Sequence, residues 1–222
     1  MEPSDTSKTR LMSADDLERT LDRMARQIIE LITLDVPAAS QNGALESGPS
    51  PPFGADDGLA LVGLQTRGVH LARRLSGKIR DVEEAEVPVG VLDATLYRDD
   101  LRGPGAAHPP GPAAGALRAI RATRIPFDIT GRPLVLVDDV IYTGRTGRAA
   151  LDALMDMGRP ASVRFLVMVD RGLRELPIRP DITGRTVSTL DGEAVRVRLR
   201  EEDDREGVWL VSIDEGRGAK DE

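Results

Sequence analysis

Pro133-Leu134-Val135-Leu136-Val137 is an apolar run of strand length. It drives straight into Asp138-Asp139-Val140-Ile141-Tyr142-Thr143-Gly144-Arg145-Thr146-Gly147, two adjacent acids followed by a Thr-Gly-x-Thr-Gly loop that opens a helix. In open α/β sheets, ligands sit beyond the carboxyl ends of the strands. The backbone N–H groups of such a loop, with the helix N-terminus behind it, form an anion cradle. Thr143 and Thr146 add neutral hydroxyl donors that suit a phosphate. Asp138 and Asp139 cannot themselves hold a phosphate, because like charges repel. The two neighbouring hydroxyls of a ribose can each donate to a carboxylate, so acids beside an anion cradle describe a sugar phosphate. The residues alone leave another reading open, with the acids as a solvated turn and Thr146 as a helix cap. No Gly-Lys pair stands where a Walker A loop would need it, and the glycines do not follow the strand as a dinucleotide fingerprint requires.

Outward from this stretch, strands and helices alternate. Ser13 caps a helix with acids in its first turn, and Leu17, Leu21, Met24, Ile28 and Leu31 recur at helical spacing. Leu59 to Leu64 reads as a buried strand, and Val69, Leu71, Ala72 and Leu75 as a short helix ending near Gly77. Val87 to Leu96 reads as a strand, about Thr146 to Met157 as a helix, and Val163 to Val169 as a strand. An Arg-bearing connection then leads to strands near Val195 to Leu199 and Val208 to Ile213. Uninterrupted apolar strands alternating with helices predict an α/β domain, its parallel sheet covered on both faces. That single domain is expected over residues 13–213, between a disordered tail at 1–12 and a frayed one at 214–222. Two biased segments, a flexible insertion at 37–58 and a flexible loop at 102–116, interrupt it. The second holds four Gly, four Pro and five Ala, too little apolar surface to hold one shape.

Composition narrows the chemistry. The 222 residues contain no cysteine and two histidines, His70 and His108. Thiolate metal sites, thiol nucleophiles, multi-His metal sites and most catalytic triads are therefore poor readings. No apolar run approaches the ~20 residues that span a bilayer, and the N-terminus lacks a signal-peptide core, so no membrane partner and a cytoplasmic location are expected. The net charge of −7 excludes a generally basic coat. It does not exclude a local arginine surface, and 27 of the 30 basic residues are Arg. Between Ser162 and Arg200, eight arginines stand against five acids.

Val135 to Gly147 closely resembles the phosphoribosyl-pyrophosphate (PRPP) signature of the type I phosphoribosyltransferases. The resemblance continues through Leu61 to Gly68, Asp93 to Leu101, Met155 to Ala161 and Val169 to Arg179, and there it is to one subfamily, the bifunctional pyrimidine operon regulators known as PyrR. It implies the type I phosphoribosyltransferase fold, a mostly parallel sheet flanked by helices, with a small hood and a flexible lid loop. It implies that Asp138 and Asp139 bind the ribose hydroxyls of PRPP and that Thr143, Gly144, Arg145 and Thr146 cradle the 5′-phosphate, with Tyr142 in the same loop. Thr66, Arg67 and Gly68 resemble the pyrophosphate loop. Gly68 permits close backbone approach, and Arg67 supplies charge-assisted contacts. Arg98 leads into the lid, where it would neutralise departing pyrophosphate with Arg102; His108 inside the lid reads as solvent-exposed. Uracil would stack near Val140 and Ile141, its edge read by backbone groups after Val169. Magnesium would enter as Mg2+ on PRPP, with no direct protein ligand assigned.

The implied activity converts uracil and PRPP to UMP and pyrophosphate. The implied regulatory role is binding of the pyrimidine-operon leader mRNA, strengthened by uridine nucleotides such as UMP and UTP, as in transcription attenuation. A homo-oligomer, dimer or larger, goes with it. The RNA surface would include Arg174, Arg179 and Arg185, with Arg26 on the first helix. The subfamily pattern is not followed everywhere: Asp22 and Arg26 replace Thr and His, Leu173 replaces His, and Gly147 replaces a bulkier apolar residue. Asp22 would repel a phosphate, and Arg26 would offset it. The residues themselves do not choose uracil over another nucleobase, nor active transferase over an RNA-binding regulator with vestigial activity; the first of each rests on the resemblance.

Overall fold

The computed structural model describes residues 6–35, 52–54, 57–98 and 123–213. In chain order its elements are β1 (Thr6–Met12), α1 (Ala14–Asp35), β2 (Ala60–Leu64), α2 (Arg67–Glu83), β3 (Val89–Leu92), a 3-10 turn (Thr95–Tyr97), β4 (Pro133–Ile141), α3 (Arg145–Met157), β5 (Ser162–Asp170), β6 (Ile182–Thr186), β7 (Glu193–Arg198) and β8 (Gly207–Ser212). Five strands form a parallel sheet in the order β3-β2-β4-β5-β6. The remaining three form an antiparallel hood in the order β1-β8-β7.

Alternation along each central strand explains why the sheet is apolar without interruption. Leu61, Val135, Val137, Leu166 and Met168 point to one face, against α1, α2 and the hood. Ala60, Val62, Leu134, Leu136, Phe165 and Val167 point to the other, against α3. Both faces are buried, so neither register of the period-2 pattern can be polar. Helix α1 lays Leu17, Leu21, Met24, Ile28 and Ile32 on the core, with Leu31 only at its edge. Its start is a reciprocal cap: the Asp16 N–H donates to Ser13 Oγ, and the Ser13 N–H and hydroxyl donate to Asp16 Oδ2. These bonds and Arg19 hold the Asp16 carboxyl down at about 2.

Several boundaries differ from the sequence reading. Helix α2 runs through the solvent-facing Gly77 to Glu83, because Ile79 continues its buried stripe and outweighs the ~1 kcal/mol cost of an interior glycine. The expected strand from Val87 contracts to Val89–Leu92 and turns into 3-10 at Thr95. The expected disordered tail 1–12 is corrected over its second half: Thr6–Met12 pairs with β8. Backbone bonding to β8 makes that strand, and Met12 is its buried apolar anchor, so no hydrophobic pattern announces it. Strand β6, absent from the sequence reading, is a polar edge strand whose one deeply buried apolar residue is Ile182. The expected insertion 37–58 lies mostly outside the described residues; near its end Phe53 is buried in the core. The loop at 102–116, Arg102 and His108 with it, and the tail 214–222 also lie outside them.

Candidate active site

The chain leaves β2 toward β3 on one side and returns as β4 on the other. The carboxyl ends of β2 and β4 therefore flank the point where strand order reverses, which is where such sheets bind ligands. Both loops singled out by the sequence lie there. Gly68, in the first turn of α2, packs directly on the other loop's strand: a Cβ at that position would stand 2.4 Å from the Val137 carbonyl oxygen and 3.2 Å from Asp138 Cα. The close approach made possible by this glycine is thus to the protein's own backbone. The preceding Gln65–Thr66 peptide is cis.

Asp138 and Asp139 lie within β4 rather than past its end. Asp138 is buried and accepts the Asp139 N–H at 2.8 Å; Asp139 accepts the Val140 N–H at 2.9 Å. Burial, then the neighbouring Asp139 charge, pushes the Asp138 carboxyl well up, and the Arg98 charge opposes that rise. Asp139 is pushed up by burial and eased by the bond with Asp138 and the charge of Arg67. Arg98 and Asp138 share a cleft of about 120 Å3 with Val140, Ile141, Tyr142, Thr143, Gly144, Thr146 and Gly147. Gly144 sits at φ +90°, turning the strand into α3; as N-cap it offers no side chain, and the Thr143 hydroxyl accepts the Arg145 N–H in a long 3.4 Å bond instead. The helix start is met by this weak neutral contact and not by an anionic cap, which suits the loop to an incoming anion.

Arg67 opens α2 and donates to Asp203 twice, from Nε at 3.1 Å and Nη2 at 2.8 Å. Those bonds outweigh burial and hold the guanidinium firmly charged. His70 and Arg74 continue the same helix face, His70 Nε2 lying 2.9 Å from Glu202 and Arg74 bonded to Glu201 and Glu206. The acidic turn between β7 and β8 thus straps the hood onto the helix that carries the Thr66–Gly68 loop.

The phosphoribosyl transferase domain matches residues 53–202 of this chain. A bifunctional protein PyrR of Thermus aquaticus is 47% identical over 204 residues, covering 91% of this chain and 96% of that protein. One from Pelotomaculum thermopropionicum is 45% identical over 208 residues, covering 94% and 98%. The chain belongs to the PyrR family of phosphoribosyltransferases. Its fold is that of the hypoxanthine phosphoribosyltransferase of Trypanosoma cruzi, with a TM-score of 0.62 at 13% identity, covering 93% of this chain and 97% of that one. No helix among the described residues is long and apolar enough to cross a membrane.

Against this PyrR frame, most residues expected at the pocket converge on it, and several side chains have other partners. Arg145 donates to Glu175 from Nε at 2.8 Å, so its side chain is turned to the β5–β6 connection and its backbone is what the loop offers. The backbone after Val169 is largely engaged: the Arg171 N–H donates to the Ile141 carbonyl, the Gly172 N–H to Asp170, and the Asp170 carbonyl accepts from Val187. Those groups are not open to a base edge. Arg171 stacks over the Tyr142 ring at 4.1 Å.

The four arginines expected to touch RNA differ in setting. Arg26 and Arg179 are exposed. Arg185 is exposed on β6 and donates to the Leu11 carbonyl at 2.6 Å. Arg174 is half-buried and bonded within the protein. Two arginines missed in the sequence, Arg19 and Arg23, line an open groove of about 370 Å3 with Arg185, Met12, Thr20 and Gly184. Their four-residue spacing, followed by three residues to Arg26, is a helical stripe that was available to be read. Asp22 is ion-paired to Lys78 of α2 at 2.6 Å, with Glu18 on the same ammonium. Its charge is met by Lys78 as well as by any help from Arg26.

Proposed function

We propose that this chain transfers the phosphoribosyl group of PRPP to uracil, yielding UMP and pyrophosphate, and that it also binds a pyrimidine-operon leader mRNA. The observation that carries the transferase reading is the meeting, at the β2/β4 switch point, of the adjacent acids Asp138, which is buried, and Asp139, which is half-buried, with a Thr-Gly-Arg-Thr loop that has no anionic cap and the Thr66–Gly68 loop. The 5′-phosphate takes the loop N–H groups and the Thr143 and Thr146 hydroxyls. Asp138 and Asp139 accept from the ribose 2′- and 3′-hydroxyls, which fixes the anomeric carbon between base and pyrophosphate. As the bond to pyrophosphate breaks, the sugar becomes oxocarbenium-like, and the acid pair beneath it is the matching charge. Arg98, beside Asp138, and Arg67 supply positive charge to the pyrophosphate side.

Two carboxylates are hard oxygen donors and too few for an octahedron, which fits Mg2+ held mainly by substrate oxygens. When bound, the ion neutralises the leaving group. Uracil is placed against Val140 and Ile141, its edge read by backbone groups after Val169 other than the Arg171 and Gly172 N–H groups and the Asp170 carbonyl, which the fold itself engages. The choice of uracil rests on the PyrR family. Turnover of PRPP with five nucleobases tests it: kcat/KM for uracil should exceed the others by about a hundredfold or more, the discrimination expected of a site that hydrogen-bonds its substrate. Comparable turnover of another base overturns the assignment, and no turnover leaves an RNA-binding regulator with vestigial activity.

RNA binding is supported by the groove of Arg19, Arg23 and Arg185 between α1 and β6, with Arg26 continuing the stripe and Arg179 exposed before β6. Arginines so placed meet phosphates and stack on unpaired bases.

A further inference from the structure

Three successive carbonyls at the end of β4 are taken by the connection between β5 and β6. The Ile141 carbonyl accepts the Arg171 N–H at 3.0 Å, and the Thr143 carbonyl accepts the N–H groups of Glu175 and Leu176 at 3.0 and 3.1 Å. Between them the Tyr142 carbonyl accepts Nη1 of Arg174 at 2.8 Å. These peptides are trans, so each N–H points opposite to its carbonyl. The N–H groups of Tyr142, Thr143 and Gly144 are therefore turned away from the connection, which is the direction an anion cradle needs. The Tyr142 carbonyl is held by a side chain, and that side chain is itself fixed. Arg174 Nη2 lies 2.7 Å from Asp170 Oδ2, Nε donates to the Ile178 carbonyl at 2.9 Å, and Nη1 also reaches the Gly172 carbonyl at 3.0 Å. A planar guanidinium fork can meet all of these at once; an ammonium cannot.

We propose that Arg174 is a positioning residue for phosphoribosyl transfer. By holding the Tyr142 carbonyl it sets the peptide plane whose N–H, that of Thr143, faces the 5′-phosphate. It acts on binding of the phosphorylated sugar, not on bond breaking. This rests on reading residues 143–146 as the phosphate loop.

The test compares the parental protein with Arg174→Ala and Arg174→Lys in steady-state kinetics, UMP titration, pyrophosphate inhibition and leader-RNA titration. The KM for PRPP and the Kd for UMP should rise about tenfold or more in Arg174→Ala while kcat stays within about threefold, the pattern of lost uniform binding. Inhibition by pyrophosphate, which uses the other loop, should change by less than about twofold, and Arg174→Lys should fall in between. If the Ala variant does not fold, the Lys variant carries the same comparison. Equal weakening of UMP and pyrophosphate would overturn the proposal, and so would a lower kcat at unchanged KM. Loss of RNA binding with parental kinetics would overturn it in favour of a direct RNA contact. A parental protein that does not turn over PRPP would instead overturn the functional reading, and this proposal with it.

Discussion

Asp138 carries a cost that its position explains. Its carboxyl is pushed well up by burial and by Asp139, so the folded chain keeps a proton there at pH values where the unfolded chain, near the ordinary value of about 4, has released it. Folding then binds protons, and stability falls as pH rises from about 4 through the raised value. Asp138→Asn keeps an acceptor for the Asp139 N–H and removes the charge. It should raise Tm at pH 7 by on the order of a few degrees, with the gain fading toward pH 4. Thermal melts between pH 4 and 8 check this, and a gain that ignores pH would contradict it. The same acids should be costly to lose in function. Asp138→Asn with Asp139→Asn should lower kcat/KM for PRPP by about a hundredfold or more, since two hydroxyl-to-carboxylate bonds are weakened at roughly 1.5–3 kcal/mol each. Near-parental turnover by the folded double variant would remove both from the site.

Helix α3 meets β5 and the connection behind it at Gly147, the position where the resemblance led to the expectation of a bulkier apolar residue. Here the space is already filled: a Cβ at Gly147 would stand 2.9 Å from the Phe165 ring and 3.2 Å from Ile178. Phe165 is buried and cannot swing out. The ring across from it on β5 thus occupies the volume that a side chain at 147 would need. Gly147→Val should destabilise by about 1–3 kcal/mol through overpacking. Adding Phe165→Leu should recover most of that loss, because the pair competes for one volume. Denaturant midpoints of the two single variants and the double variant decide it; additive losses would mean that the two positions are independent.

Across the molecule, charge is segregated. The chain is −7 overall, yet the groove between α1 and β6 gathers Arg19, Arg23 and Arg185 around Asp16. The acids of the β7–β8 turn are occupied by Arg67, His70 and Arg74 on α2. Binding of a polyanion, as proposed above, would rest on the local field of that groove and not on net charge. Changing Arg26, Arg179 and Arg185 together to Ala should weaken leader-RNA binding and flatten its salt dependence. The slope of log K against log salt should lose about 2 in magnitude, from roughly 0.7 per lost phosphate contact. RNA titrations from low to high salt measure this, with uracil transferase assays on the same preparation showing whether the effect stays on that face. An unchanged slope would take these three off the RNA surface.

The acid pair and the Thr-Gly-Arg-Thr loop could be read before any coordinates because they are contiguous. Strand, acids, loop and helix start follow one another within Pro133 to Gly147, and the apolar alternation of the central strands is equally local. Strands β1 and β6 were not legible, because backbone pairing to a neighbour makes them and their side chains are mostly polar. Nor were the arginines' partners. In the sequence Arg145 in the loop before α3, and Arg174, Arg179 and Arg185 after Val169, are the same cation with nothing to tell their partners apart. Folding gives the first to Glu175, the second to the Tyr142 carbonyl and Asp170, and the fourth to the Leu11 carbonyl 174 positions away, while Arg179 stays exposed. A guanidinium bonds to whatever acceptor the surrounding elements bring within reach, and only the packing of β1, β4 and β5 around the connection says which acceptor that is.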